Sequence, residues 1–70
     1  MMPLTFATIG EKNIICKING KPDVKKHLED IGFVAGGNVS VVAVMGGNII
    51  VNIKDSRIAI NREMANKIMI

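Results

Sequence analysis

Residues Val24 to Val41 read VKKHLEDIGFVAGGNVSV. Val24, Leu28 and Ile31 recur at spacings of four and three, which places them on one stripe of a short helix. Gly32 follows at once, where a glycine ends a helix in a backbone conformation that a Cβ would oppose. Phe33 is the next residue, and in a Schellman-type ending it folds back onto Leu28. Val34 and Ala35 lead into the turn signal Gly36-Gly37-Asn38, after which the apolar period changes from helical to alternating. A helix, its stop, a compact turn and the start of a strand are thus written in eighteen consecutive residues.

Upstream, Pro22 suits the first turn of that helix and Asp23 places a carboxylate at its positive end. A strand is expected over Glu11 to Asn19, with Ile14, Cys16 and Ile18 on its apolar face and Asn19-Gly20 closing it. Leu4, Phe6 and Ile9 read as anchors of the opening segment, and Pro3 holds the very start out of regular structure. Downstream, a second strand is expected over Asn38 to Met45. Val39, Val41, Ala43 and Met45 share one face, and Ser40, Val42 and Val44 the other. Gly46-Gly47-Asn48 signals a hairpin. A third strand runs Ile49 to Lys54, Asp55-Ser56 turns the chain, and a fourth spans Arg57 to Ile60. Asn61 is placed to cap a helical turn from Arg62 to Lys67 with Met64, Ala65 and Ile68 inward, and Met69-Ile70 forms a last short strand. The fold class is mainly β: a small barrel of about five short strands, one short helix across it and a C-terminal helical turn. Closure removes the sheet edges that such Val- and Ile-rich strands could not safely leave open.

The 70 residues form a single domain, 1–70, near the lower size at which a chain folds without a staple. The 49% apolar content comes mostly from Ile and Val, and with two Phe and no Tyr or Trp the core must be aliphatic. No apolar run of about 18 residues and no leader pattern is present, and one cysteine cannot form an internal disulfide. A soluble cytoplasmic protein is expected. The net charge is +3, and the nine basic residues are scattered in sequence, which reads as a solvated surface rather than a nucleic-acid stripe.

Chemistry-bearing residues are sparse. His27 and Cys16 are the only residues of their kind. Glu29 and Asp30 near His27 are oxygen donors of the type that suits ferrous iron, but no paired spacing such as CxxC or HxxxH accompanies them. No metal or cofactor site is assigned. Cys16, between Ile14 and Ile18 in the alternation, reads as a small buried side chain. Ser40 and Ser56 lie in a strand and a turn without a nucleophile motif, and both glycine pairs lack the context of a phosphate loop. The chain is expected not to be an enzyme. If Val39, Val41 and Ala43 fill the core, Val42 and Val44 need another cover: the helix, the N-terminal arm, a partner or a second copy of the chain.

Two stretches resemble the FeoA family. HLEDIGFVAGGNVSVV is similar to its pattern of leucine, hydrophobic, Gly, hydrophobic, Gly and alternating Val, met here by Leu28, Ile31, Gly32, Phe33, Gly36, Val39 and Val41. SRIAINREMANKIMI resembles the family's ending, met by Ile58, Ala59, Ile60, Glu63, Ala65 and Ile68. Lys26 and His27 stand where members often carry an Arg, and the loop after the second strand is very short. The resemblance implies an SH3-like barrel and a non-catalytic cytosolic accessory of ferrous iron uptake that docks to the cytoplasmic, GTPase-bearing portion of the transporter FeoB. Lys25, Lys26, Leu28 and Glu29 of the helix, with Val42 and Val44 of the strand, are the expected contact residues. The rival reading is a small-barrel nucleic-acid binder, weakened by the lack of Tyr and Trp for base stacking. An iron-sensing domain is a third, opposed by the lack of a ligand cluster.

Overall fold

The computed structural model describes residues 1–70. Helix α1 spans Pro22–Ile31, with Pro22 in its first turn and Asp23 beside it. At its end Gly32 adopts φ 130°, and its N–H donates to the carbonyl oxygens of Glu29 (3.0 Å) and Leu28 (3.2 Å). The Phe33 N–H donates to the same Leu28 oxygen at 3.0 Å. This is the doubly bonded Schellman ending, and it drives Phe33 and Leu28 into the interior, where both are fully buried.

Beyond it lie β3 (Asn38–Met45), β4 (Asn48–Ile53) and β5 (Ser56–Asn61), joined by the two-residue turns Gly46-Gly47 and Lys54-Asp55. Lys54 takes φ 48° in the second turn. With β1 (Lys12–Ile14) they make an antiparallel sheet in the order β1-β3-β4-β5. A second sheet pairs β2 (Lys17–Ile18) with β6 (Ile68–Met69), and Met2 and Ile70 extend it by exchanging backbone hydrogen bonds of 2.9 and 2.8 Å. The core enclosed between them holds thirteen buried side chains, all apolar. Between β5 and β6, helix α2 (Arg62–Ala65) is capped as expected: the Met64 N–H donates to Asn61 Oδ1 at 2.8 Å. Asn61→Ala should therefore lower stability by about 1 kcal/mol, read as a reduced urea midpoint at unchanged slope.

Three expectations of facing are overturned. The stretch Glu11 to Asn19 is two strands, not one, because the chain changes partner within it. Ile15 exchanges backbone hydrogen bonds with Gly36 and Gly37, after which the Cys16 N–H donates to the Met69 oxygen at 2.7 Å and β2 continues in the other sheet. The bend turns both Ile15 and Ile18 inward, which a straight strand cannot do for residues three apart. Ile14 is left 55% exposed, and Cys16 is a free exposed thiol rather than a buried one.

In β3 the register shifts between Val41, opposite Val51, and Ala43, opposite Ile50. Val42 is the extra residue of this β-bulge, and it inverts the alternation beyond it. Val39 and Val41 are buried, but Met45 is 66% exposed on the outer face, and Val44 instead lies opposite buried Ile49. At the N-terminus a 3₁₀ turn, Leu4–Phe6, sends only Leu4 inward. Phe6 is 70% exposed and Ile9 is exposed as well, so neither anchors the core. Pro3 is not outside regular structure either, since it bridges to Met69. The smaller differences are of one or two residues: β4 and β5 each begin one earlier than expected, with the turn at Lys54-Asp55 instead of Asp55-Ser56, α2 ends at Ala65 rather than Lys67, and the last strand is Ile68–Met69 rather than Met69-Ile70.

Candidate functional site

The exposed side of α1 follows from the helical period. With Val24, Leu28 and Ile31 turned to the core, Lys25, Lys26 and Glu29 project to solvent together with Asp23, His27 and Asp30. Leu28 has no surface to give a partner, because its side chain is fully buried. Between α1 and α2 lies a groove of about 390 Å³, whose walls include Asp23, His27, Glu63 and Lys67. Asp23 and His27 stand one helical turn apart, yet no three His, Cys, Asp or Glu side chains converge closely enough to hold a metal ion. The two strand residues of the expected surface differ in exposure. Val42 is half-buried at the bulge, and Val44, 45% exposed, sits near the Gly46-Gly47 turn.

The sheet's outer face assembles a second group that reading along the chain does not bring together. Lys12 of β1 lies opposite Ser40 of β3, Ser40 opposite Asn52 of β4, and Asn52 opposite Arg57 of β5. One residue from each strand thus forms a continuous polar row. Arg57 Nε donates to Asn52 Oδ1 at 3.1 Å, which fixes the guanidinium along the row. Lys54 adds a third cation beside a depression of about 470 Å³ that Lys12, Ser40 and Asn52 also line. Cross-strand register is the only signal that unites these residues. The Lys54-Asp55 turn gives the Asn52–Arg57 pair, whereas Ser40 opposite Asn52 depends on the bulge.

The family model for the FeoA domain matches residues 2–70. The chain belongs to the FeoA family. It is 37% identical, over all of its length and 85% of the relative, to the "Putative Fe(2+) transport protein A" of Methanocaldococcus jannaschii. A crystal structure of the iron uptake regulatory protein FeoA superposes with a TM-score of 0.85 at 25% identity, covering 94% of this chain and 89% of the other. Stenotrophomonas maltophilia FeoA, a prokaryotic SH3 domain protein solved with zinc, gives a TM-score of 0.83 at 21% identity over 99% and 88% of the two chains. That likeness carries the fold, which is SH3-like. The FeoA pattern in this chain is mostly spent on architecture: Leu28, Phe33, Val39 and Val41 are buried, Ile31 packs on the core, and Gly32 and Gly36 hold positive φ.

Proposed function

We propose that this FeoA-family chain is a non-catalytic accessory of ferrous iron uptake that acts in the cytoplasm by docking on the cytoplasmic portion of a FeoB-type transporter. Family membership over essentially the whole chain is the observation that carries this reading. The surface supports it: charged side chains on α1 stand free of the core. Lys25 and Lys26 contribute the charged part of the contact, and Val42 and Val44 an apolar part nearer the β3–β4 hairpin. A docked accessory shifts its partner's equilibrium only by its differential affinity for the partner's states, so nucleotide dependence of binding reports which state is favoured.

Calorimetry with the soluble cytoplasmic portion of the cognate transporter, with and without guanine nucleotide, tests this directly. A saturable one-site isotherm is expected. A Lys25→Glu/Lys26→Glu variant should bind about five- to tenfold more weakly, the scale of two interfacial rim charges. Wild-type affinity in that folded variant would remove α1's lysines from the interface. Absence of heat with the parent chain would count against docking to the soluble portion.

A further inference from the structure

We propose that the outer face of the β1-β3-β4-β5 sheet is a docking surface for an acidic, extended segment of a partner protein. The proposal stands independently of whether α1 meets the transporter. Its first support is charge. Lys12, Lys54 and Arg57 are all exposed, and every outward position paired across the four strands is basic, polar uncharged or apolar. The nearest carboxylates in the chain, Glu11 and Asp55, lie just outside those strands, and none of the side-chain hydrogen bonds engages a carboxylate. By contrast, α1 mixes Lys25 and Lys26 with Asp23, Glu29 and Asp30 on its solvent side. The sheet face is thus the part of the molecule that carries one sign of charge.

Spacing supplies the second support. The row from Lys12 to Arg57 crosses three inter-strand gaps of about 4.8 Å, roughly 14 Å along the sheet. An extended peptide advances about 3.3 Å per residue, so side chains four apart on one of its faces lie about 13 Å from each other. Carboxylates at those two positions meet Lys12 and Arg57 together, with Ser40 and Asn52 beneath the residues between them. Asn52 holds the guanidinium through Nε and leaves its Nη groups for the ligand. A single phosphate cannot span that row.

The adjoining row decides the class of polyanion. Ala43, Ile50 and Ala59 lie side by side on the same face, with exposed Met45 beyond them. That strip accepts aliphatic side chains of a peptide. The paired outward positions include no aromatic residue on which the bases of a single-stranded nucleic acid could stack.

The test is a titration of the ¹⁵N-labelled 70-residue chain, followed by amide NMR shifts. The probe is a ten-residue peptide carrying Glu at positions four apart with Val and Leu beside them. Its Gln analogue, an RNA decamer and inorganic phosphate are run in parallel. Saturable shifts centred on Lys12, Ser40, Ile50, Asn52 and Arg57 are expected with the acidic peptide alone. Lys12→Glu/Arg57→Glu should weaken binding at least tenfold while the Lys25→Glu/Lys26→Glu variant retains it. Both substituted residues are exposed, and Lys12→Gln/Arg57→Gln gives the same comparison without reversing charge. The proposal is overturned by no saturation, by shifts centred on α1, by equal binding of the Gln peptide, by tighter binding of RNA to the same amides, or by variants that bind like the parent.

Discussion

Phe33→Ala should leave the chain largely unfolded at 25 °C. Phe33 is among the largest fully buried side chains and belongs to the single core cluster. Truncating a buried phenylalanine costs about 3–5 kcal/mol, from lost transfer energy plus the cavity left behind. At roughly 0.05–0.15 kcal/mol per residue, a 70-residue domain has only about 4–10 kcal/mol to lose. A core this small usually sits in the lower part of that range. The substitution therefore removes most or all of the stability. Far-UV circular dichroism and a urea titration would show loss of the cooperative transition, whereas Phe33→Leu should keep it with a lower midpoint. A Phe33→Ala protein that unfolds at the parent's urea midpoint would mean that this side chain does not hold the sheets to α1.

Gly32→Ala comes next, with an expected loss of about 2–3 kcal/mol from two separable causes. A φ of 130° is a backbone conformation that L side chains rarely adopt, worth roughly 1–3 kcal/mol of strain. A Cβ added there would also come within 2.9 Å of Ile53 Cδ1, inside van der Waals contact. Gly36 provides a comparison, since its φ of 86° is also one that L side chains rarely adopt but nothing lies within 4 Å of its Cβ position. Gly36→Ala should thus cost less than Gly32→Ala. Trimming the obstructing methyl with Ile53→Val should make the Gly32→Ala/Ile53→Val double variant more stable than the sum of the single losses predicts, by about 0.5–1 kcal/mol. Strict additivity would assign the whole effect to the backbone.

The helix, its ending, the Gly46-Gly47 hairpin and the α2 cap were legible in the sequence because each is a local device, and the second hairpin was legible to within one residue. Gly32 and Phe33 sit within one turn of the carbonyls they satisfy, and Asn61 caps an N–H three residues on. The facing of strands was less legible, because it depends on partners far away in sequence. A two-residue Gly46-Gly47 turn pairs Met45 with Asn48. Continued without interruption, that register would put Val41 beside Asn52 on the outer face. The bulge at Val42 resolves the conflict by setting Val41 opposite Val51 while Val44 stays opposite Ile49. Nothing within the run Val-Ser-Val-Val-Ala-Val announces where the slip must occur. Cys16 was misplaced for a similar reason: the chain leaves one sheet for the other beside it, and Ile15, not its neighbour, inherits the core. The candidate surface was legible only in part. The exposed lysines of α1 follow from its period, whereas the alignment of Lys12 with Arg57 required the registers of three strand pairs.

The hydrogen bonds between Met2 and Ile70 bear on how the chain becomes native during synthesis. Leu4, Ile15 and Ile18 share one core with Ala65 and Ile68, and β2 has β6 as its partner. The β3-β4-β5 meander can form from nearby residues as it emerges from the ribosome. β1 can join the meander through β3, but Met2, Pro3 and β2 must wait until β6 is free, because closing so long a loop is repaid only by contacts made after closure. Until then the apolar side chains of the opening segment lack their final cover. A chain that lacks Ile68 to Ile70 would be stranded in that unclosed state, prone to aggregate rather than slightly less stable.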